Sequence, residues 1–373
     1  MRRLVFLLAA AAQFAAAGTP QPPTGAWRIQ YRYDRDRLSF DIQDIFFSTP
    51  ERGIAVGALT RDGGKKTEGL AIVTRDGGST WTETPLKEPA SAVFFVNDSV
   101  GWLVTPSGIW QTLESGLSWR KIKNIQGVES VYFLDERHGW AVGAPKLMLE
   151  TRDGGRTWAE VEAAKQVKSN PEYTVYRWIQ FVTPKNGIVG GTAIPPRPFE
   201  RRDAPAWADP EKAAKHREWP TLSIGLDTAD GGQTWKSQTA PVFGIPVRFR
   251  FAPDRYALGL IRFENAFEYP SEVYLVAPKN GKSVRTFRDK KRLVTDVGWS
   301  EGKHGFLVAI EPPGLHMLPV PGRLHVLESD SFAEWTEMPV DWKAYAGDAV
   351  LAVSGSKAWI GTDQGVILTL VRQ

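Results

Sequence analysis

The chain has 373 residues, and it contains no cysteine and only five histidines. The absence of cysteine excludes disulfides, thiol catalysis and cysteine-ligated metals. Beyond the N-terminus no apolar stretch approaches the roughly 20 residues that a membrane-spanning helix needs. The formal net charge of +4 is too small to indicate a general nucleic-acid binder. These absences favour a globular domain held together by its apolar core alone.

The N-terminus has the composition of an export signal. Arg2 and Arg3 come first, an apolar stretch follows, and three alanines offer a cleavage site before Gly18. This order is typical of a Sec-type signal peptide. We therefore expect a signal peptide at 1–17, a single mature domain at 18–373, and a periplasmic or extracellular location. No cysteine follows the expected cleavage site to carry a lipid.

An octapeptide of the pattern Thr-x-Asp-Gly-Gly-x-Thr-Trp recurs three times, beginning at Thr74, Thr151 and Thr228, with a degenerate copy at Thr112. Its aspartate is suited to cap the amides of a tight turn, its glycines to adopt positive φ, and its tryptophan to pack between neighbouring sheets. This pattern is the Asp-box hairpin. We predict a structural role for Asp76, Gly78, Trp81, Glu114, Trp119, Asp153, Gly155, Trp158, Asp230, Gly232 and Trp235.

A second pattern precedes the octapeptides and recurs seven times, from Ile45 in the first copy to Val350 in the last. It consists of a short apolar strand, a polar turn, and a second apolar strand that usually begins with glycine. The last copy is one strand short, and residues 26–29 supply the missing strand. The sequence thus predicts an all-β, seven-bladed β-propeller of four-stranded antiparallel blades, with its ring closed by pairing the N-terminal strand with the last blade.

Both patterns resemble the Asp-box (BNR) and YVTN-type β-propeller superfamily. The segment from Phe133 to Trp158 is most similar to the photosystem II stability/assembly factor-like group. The resemblance implies the propeller fold, and members of that group are known for an arginine-rich patch. Similar sequences occur in bacteria that have no photosystem, so the resemblance does not identify the partner.

The repeat is interrupted between the second and third strands of four blades. The longest insertion, residues 194–220, is basic and rich in proline in its first half. Its second half predicts a short helix with Asp209 as N-cap and Pro210 in the first turn. The other expansions are 58–69 in blade 1, 263–270 in blade 5 and 311–322 in blade 6. We expect the binding surface on the loops of blades 4–6, because functional residues concentrate on long loops.

Basic and aromatic residues of blades 4 and 5 are the candidates for binding: Arg177, Arg197, Arg201, Arg202, Trp207, Trp219, Arg248, Arg250 and Arg262. Two interpretations of the insertion remain open. It forms a lid whose tryptophans pack on the propeller, or it forms a site for a ligand or partner. The arginines form one positive patch, or each is solvated separately.

We expect a non-catalytic binding or scaffold protein, such as an assembly or cell-envelope factor, with a protein partner, no cofactor and no metal. The alternative is a carbohydrate-active protein, either a glycoside hydrolase or a lectin for a polysaccharide, that uses the same loops. A sialidase is disfavoured because no Arg-Ile-Pro segment precedes the octapeptide at Thr74. A carboxylate pair for glycoside hydrolysis could come from five acidic residues, and the sequence does not choose among them: Asp203, Asp209, Glu264, Glu268 and Glu311.

Overall fold

The computed structural model describes residues 25–61, 67–196, 204–216, 218–252, 256–263, 269–277, 282–300, 304–312, 322–341 and 343–372. The predicted signal peptide lies outside these residues, so it stays a prediction. Within these residues no helix is both long and apolar enough to cross a membrane.

The strands of the first three blades follow each other in chain order, after one N-terminal strand, β1 (Gly25–Arg32). Blade 1 comprises β2 (Leu38–Phe47), β3 (Gly53–Arg61), β4 (Thr67–Thr74) and β5 (Thr82–Leu86). Blade 2 comprises β6 (Ala92–Phe95), β7 (Gly101–Thr105), β8 (Gly108–Thr112) and β9 (Arg120–Lys123). Blade 3 comprises β10 (Val128–Phe133), β11 (Gly139–Gly143), β12 (Leu147–Thr151) and β13 (Ala159–Glu160).

The remaining strands form four more blades. Blade 4 comprises β14 (Thr174–Phe181), β15 (Gly187–Ala193), β16 (Thr221–Thr228) and β17 (Lys236–Val242). Blade 5 comprises β18 (Ile245–Phe251), β19 (Ala257–Arg262), β20 (Ser271–Ala277) and β21 (Lys282–Arg288). Blade 6 comprises β22 (Leu293–Ser300), β23 (His304–Ile310), β24 (Gly322–Ser329) and β25 (Thr336–Met338), with β26 (Tyr345–Ala346) also paired to β24. Blade 7 contains β27 (Ala349–Ser354), β28 (Lys357–Thr362) and β29 (Val366–Arg372).

The N-terminal strand completes the last blade. β1 pairs antiparallel with β29, and Trp27 lies opposite Leu370. Trp27 is fully buried, and its ring makes an edge-to-face contact with Phe306 at 6.0 Å between centroids. The sheet order β1-β29-β28-β27 therefore gives the seventh blade its fourth strand. The prediction of a seven-bladed β-propeller closed by the N-terminal strand is confirmed.

The described chain divides into two compact units. One is Gly127–Lys290, which contains blades 3–5. Its core is built around Trp140, Tyr176 and Phe181. The other consists of the described residues of 25–126 and 291–372, contains blades 1, 2, 6 and 7, and has three separate apolar clusters.

Two helices lie in the connections of blades 3 and 4. The link between these blades contains α1 (Glu162–Lys165) and a 3-10 turn at Pro171–Tyr173. The insertion contains α2 (Pro210–His216), and the Asp209 carboxylate accepts the amides of Glu211 and Lys212 at 3.0 and 3.2 Å. The predicted N-cap and helix start are thus present.

The predicted expansion in blade 1 is a longer hairpin. Strand pairing continues from Ala58 opposite Gly69 to Thr60 opposite Thr67. The residues between 58 and 69 that the structure describes are therefore strand, because Leu59 and Thr60 find partners across the hairpin. Residues 62–66 lie outside the described part.

Candidate functional site

The Asp-box turn of blade 1 is held by hydrogen bonds among its own side chains and amides. The Thr74 hydroxyl accepts the Gly78 amide at 2.8 Å and donates to Asp76 Oδ1 at 2.9 Å. The other end of the turn is fixed by Thr80, whose amide and hydroxyl donate to the two carboxylate oxygens of Asp76 at 2.8 and 2.6 Å. Gly77 and Gly78 have φ of 72° and 94°, a region that favours glycine. Threonine is thus as necessary to the turn as aspartate, which the sequence pattern alone did not reveal.

The boxes of blades 3 and 4 repeat this geometry. The Thr151 and Thr228 hydroxyls accept the amides of Gly155 and Gly232 at 2.8 and 2.9 Å. Hydrogen bonds from the threonine that follows, Thr157 or Thr234, lower the carboxylate pKa to about 2 in Asp153 and Asp230, as Thr80 does in Asp76. All these donors stabilise the ionised form of the aspartate.

The box tryptophans pack on the first strands of their own blades, and two of them also contact the preceding blade: Trp81 lies 5.9 Å from Tyr31 of β1, and Trp235 lies 6.1 Å from Trp140, between ring centroids. Each makes an edge-to-face contact, at 6.0 to 6.2 Å between centroids, with the phenylalanine that ends the first strand: Trp81 with Phe47, Trp119 with Phe95, Trp158 with Phe133, and Trp235 with Phe181. Trp235 is buried, whereas the other three are partly exposed. The largest fully buried side chains include four other tryptophans, Trp27, Trp102, Trp140 and Trp359.

Two of these buried tryptophans, from second strands, fill the space between blades. Trp359 of blade 7 stacks on Phe47 of blade 1 at 3.5 Å between centroids, and its Nε1 donates to the Gly77 carbonyl at 3.1 Å. Trp140 of blade 3 stacks on Phe181 of blade 4 at 4.7 Å. At these two junctions the second-strand tryptophans share the space with the box tryptophans Trp81 and Trp235, so packing between neighbouring blades, predicted for the box tryptophans, is present there.

Two further turns are modified boxes. In blade 2 the Thr112 hydroxyl accepts the Gly116 amide at 3.1 Å, Glu114 replaces the aspartate, and Ser115 takes the first glycine position with φ of 57°. In blade 6 the Ser329 hydroxyl accepts the Phe332 amide at 2.8 Å, and Phe332 adopts φ of 59°. Sequence reasoning recognised the first turn and missed the second, which is one residue shorter and contains no glycine.

Three of the predicted binding arginines lie on the first strands of blades 4 and 5. Arg177 occupies an irregularity of β14, where the register shifts between Tyr176 and Trp178, and its Nε lies 3.4 Å from Thr192 Oγ1. Arg248 and Arg250 are two residues apart on β18, which places them on one face of that strand. All three side chains are partly buried.

The first strands of blades 4 and 5 are joined side by side. Trp178 packs against Phe249 at 5.2 Å between centroids. The Gln180 side chain exchanges hydrogen bonds with the backbone of Phe251, at 3.3 and 3.5 Å. This junction holds the strand bearing Arg177 next to the strand bearing Arg248. Arg262 is the last residue of β19 and pairs with Ile245 at the start of β18.

The described half of the insertion packs on the core formed by blades 3 and 4. Ala208 and Ala213 are buried, and Trp207 packs on the core cluster of Trp140 and Tyr176. The His216 ring stacks on Phe243 at 3.9 Å between centroids. Trp219 is partly buried. The remaining predicted residues of the insertion, Arg197, Arg201 and Arg202, lie outside the described residues.

The link between blades 3 and 4 is anchored by a lysine that sequence reasoning missed. Lys146 Nζ donates to the carbonyls of Lys165, Val167 and Ser169 at 2.8, 2.6 and 3.2 Å. Burial lowers the pKa of Lys146. The three carbonyls accept the hydrogen bonds of the ammonium and so fix the end of α1. No sequence pattern predicts this contact, because it forms only when the chain folds.

The acidic and histidine residues give no metal site among the described residues. Of the five acidic candidates for a carboxylate pair, Asp203, Glu264 and Glu268 lie outside the described residues. Asp209 caps α2, and Glu311 Oε1 lies 3.6 Å from His325 Nε2. The two described carboxylates therefore have structural partners.

The sequence comparisons find similarity to one family in a short segment of the chain. Residues 123–194 match the family model described as photosynthesis system II assembly factor YCF48. Over 50 residues the chain is 42% identical to the photosystem II assembly lipoprotein Ycf48 of Prochlorococcus marinus, which is 13% of this chain and 15% of that lipoprotein. The alignment therefore spans only a small part of either protein.

Two solved structures are similar over most of the chain. YCF48 bound to D1 peptide has a TM-score of 0.58 and 16% identity, covering 92% of this chain and 97% of that one. YCF48 from Cyanidioschyzon merolae has a TM-score of 0.57 and 16% identity, covering 92% and 98%. At this identity the likeness shows the fold. The resemblance stated from the sequence is confirmed: the chain is an Asp-box β-propeller similar to the photosystem II assembly factor group, with its matching segment in residues 123–194.

Proposed function

We propose that this protein is an exported, non-catalytic β-propeller that binds a protein partner through loops of blades 4–6, as an assembly or cell-envelope factor. The observation that carries the proposal is the YCF48 family match at residues 123–194. A similar propeller, YCF48, has been solved with a D1 peptide bound. A propeller of this group thus serves as a platform for a polypeptide.

The chemistry of blades 4 and 5 fits this role. Arg177, Arg248 and Arg250 lie on neighbouring first strands held together by Trp178 and Phe249. Guanidinium groups on a rigid sheet suit carboxylates and backbone carbonyls of a polypeptide, because their donors are fixed in a planar fork. We place Arg262 and the insertion arginines, Arg197, Arg201 and Arg202, in the same surface.

The insertion has two parts with different roles in this proposal. The helix α2, with Trp207, is a lid on the core that blades 3 and 4 share, and we assign binding of the partner to Arg197, Arg201 and Arg202. A packed lid supports the loop at low entropic cost, since its backbone is already ordered. The insertion thus combines the two interpretations that the sequence left open.

The first experiment compares affinity capture by residues 18–373 with capture by a variant lacking Pro195 to Trp219. We expect specific partners to be lost on deletion while the propeller stays folded, with a lower thermal melt because Trp207, Ala208 and Ala213 no longer pack on the core. The matched control replaces the same segment with a flexible linker of equal length. Equal capture by all three proteins contradicts the role of the insertion.

A charge reversal separates the arginine surface from the insertion. Arg248→Glu with Arg250→Glu should abolish partner capture, because a carboxylate-bearing segment is then repelled. Arg120→Glu with Arg156→Glu, at two exposed arginines of blades 2 and 3, is the control of equal charge and should capture normally. Hydrolysis of a fluorogenic sugar panel above background by the wild-type protein would instead support the carbohydrate-active alternative.

A further inference from the structure

A histidine precedes the first glycine of the second strand in two blades, His138 in blade 3 and His304 in blade 6. Each imidazole ring lies against the aromatic residue two positions further along, at 4.3 and 4.9 Å between centroids. The Nε2 of His138 is 2.8 Å from Glu150 Oε1, and the Nε2 of His304 is 2.7 Å from Glu328 Oε2. Both glutamates lie on the third strand, directly opposite that aromatic residue. The two blades therefore build the same histidine–glutamate pair.

The two pairs differ in the residue that follows the box hydroxyl. In blade 3 this residue is Arg152, whose Nη2 lies 2.6 Å from Glu150 Oε1. The charges of the arginine and the glutamate cancel, so the blade 3 pair is balanced when His138 is neutral. In blade 6 the same position is Asp330, whose Oδ1 lies 2.6 Å from His304 Nδ1. An arginine that neutralises the glutamate is thus replaced by a second carboxylate that contacts the histidine.

His304 therefore has a carboxylate at each ring nitrogen. A neutral imidazole carries one N–H group, whereas an imidazolium carries two. Only the protonated ring donates hydrogen bonds to both Glu328 and Asp330. Burial lowers the pKa of His304, but the hydrogen bonds to these two carboxylates outweigh burial and raise the pKa above its ordinary value of 6.5. Glu328 is itself buried, so little water is available to replace a donor that it loses.

The histidine lies where blade 6 meets the strands that close the ring. His304 and Phe306 point to the same face of β23, because alternate residues of a strand share a face. On that face the Phe306 ring contacts Trp27 of β1 edge to face, at 6.0 Å between centroids. Arg372 of β29 approaches Glu328, with its Nη1 at 3.8 Å from Oε2. Because β1 and β29 are the pair that completes blade 7, the cluster contacts both closing strands.

The charges around His304 balance only when the ring is protonated. Within the described residues, the charged groups that contact His304 are Glu328 of β24 and Asp330 in the turn that follows. Arg372 of β29 faces the same glutamate. Two carboxylates and one guanidinium leave one negative charge beside the closing strands when the imidazole is neutral, and none when it is protonated. A partly buried charge without a counter-ion weakens the packing around it.

We infer that His304, with Glu328 and Asp330, is a pH-sensitive latch for the closure of the ring. In its protonated form the imidazole joins the two carboxylates and leaves the junction with β1 and β29 neutral. On deprotonation it gives up one of its two hydrogen bonds and leaves a net negative charge at that junction. The closing strands are therefore held more tightly in a mildly acidic medium than in an alkaline one. The latch does not depend on the binding surface proposed for blades 4–6.

The direction of the pH effect follows from the raised pKa. Stabilisation by the latch is complete below 6.5, the ordinary pKa of histidine, and is lost as the pH rises through the pKa of the folded protein. Amide hydrogen exchange of β1 at about pH 6 and about pH 8, divided by the intrinsic rates, measures opening of the closing strands. We expect the protection of β1 to fall about threefold or more over this range relative to β15 of blade 4, the size of one ion pair.

Three variants identify the group responsible. Asp330→Arg gives blade 6 the residue of blade 3 at an exposed position, so it should fold, and the extra fall in protection of β1 should vanish or reverse. His304→Gln should also remove the extra fall, because a glutamine amide does not titrate. His138→Gln is the matched control and should keep the response of the wild type.

Two results overturn the latch. One is the same extra fall in protection of β1 in folded Asp330→Arg as in the wild type. The other comes from an NMR titration of the imidazole signals, in which the signal of His304 is assigned by its absence in His304→Gln. A midpoint for His304 at or below the ordinary 6.5 contradicts the proposal, whereas a midpoint above 6.5 that Asp330→Arg lowers supports it.

Discussion

Two neighbouring junctions of the propeller are built from the same repeat and differ in the side chain near the start of the second strand. Between blades 7 and 1, Trp359 is fully buried, stacks on Phe47 and donates a hydrogen bond to Gly77. Between blades 1 and 2, Ile54 takes the corresponding position and leaves a crevice beside Phe95. The first junction is closed by aromatic stacking and a polar contact. The second keeps a shallow crevice with room for about one water, and isoleucine has neither the area nor the donor of an indole.

The comparison shows that this repeat separates two tasks. The box hydrogen bonds shape each turn locally and are made in blade 2 even though Glu114 and Ser115 replace the usual residues. The second-strand side chain is one of the groups that fill a junction, as Trp359 does between blades 7 and 1. Sequence variation at that position can therefore change the surface without changing the fold.

The largest expected effect is the loss of the indole at the filled junction. Trp359→Ala should lower the free energy of unfolding by about 3–5 kcal/mol, because it leaves a cavity and an unstacked Phe47. Chemical denaturation measures the change. Ile54→Val at the junction of blades 1 and 2 is the control and should cost about 0.5–1.5 kcal/mol. Equal costs at the two junctions would remove the distinction between them.

The next largest effect is expected when the hydroxyl of the first threonine in a box is removed. Thr74→Val should cost about 1–3 kcal/mol, because the buried Gly78 amide loses its acceptor. Thr112→Val should cost a similar amount in the degenerate box, where the hydroxyl accepts Gly116. Thr67→Val, at an exposed strand position, is the control and should change the free energy of unfolding by less than about 0.5 kcal/mol. If Thr112→Val leaves the free energy of unfolding unchanged, the hydrogen bonds of the degenerate box do not stabilise blade 2.

Exchanging the residues at the first glycine position of the boxes in blades 1 and 2 should change the stability of the protein in opposite directions. Ser115 adopts φ of 57°, so Ser115→Gly should stabilise the protein by about 0.5–1 kcal/mol through relief of the left-handed conformation. Gly77→Ser, at φ of 72°, should destabilise it by about 1 kcal/mol or more. Thermal melts of the two variants measure both signs. Destabilisation by Ser115→Gly would show that the serine side chain has its own role in blade 2.

The smallest expected effect is a dependence of the protein's stability on pH through the box aspartate. Hydrogen bonds from Thr80 lower the pKa of Asp76 from 3.8 to about 2. Because the pKa is depressed in the folded state, the stabilisation is complete above pH 3.8 and is lost as the pH falls toward 2. Melts of the wild type and of Asp76→Asn should therefore differ at neutral pH and converge near pH 2. If the two melting temperatures differ by the same amount at pH 2 as at neutral pH, the ionised carboxylate of Asp76 does not stabilise the fold.

Much of the fold follows from the sequence because the repeat is a local signal. The octapeptide encodes its own turn, so the boxes at Thr74, Thr151 and Thr228 are identifiable without a structure. The short box at Ser329 was missed because Phe332 supplies the positive φ that glycine supplies elsewhere. In the candidate binding surface, the sequence indicated Arg177, Arg248 and the cap at Asp209. It could not indicate Lys146, whose three carbonyl partners come together only on folding.

The sequence by itself determined the number of blades, the class of fold and the strand that completes the last blade, because each depends on counting a repeat whose physics is contained within a few residues. Tertiary structure alone decided which tryptophans fill the junctions, that the helix of the insertion packs on the core of blades 3 and 4, and that Ile54 leaves a crevice. These features depend on contacts between residues far apart in the chain, such as Trp359 and Phe47. Their geometry is set by the packing of one blade on the next.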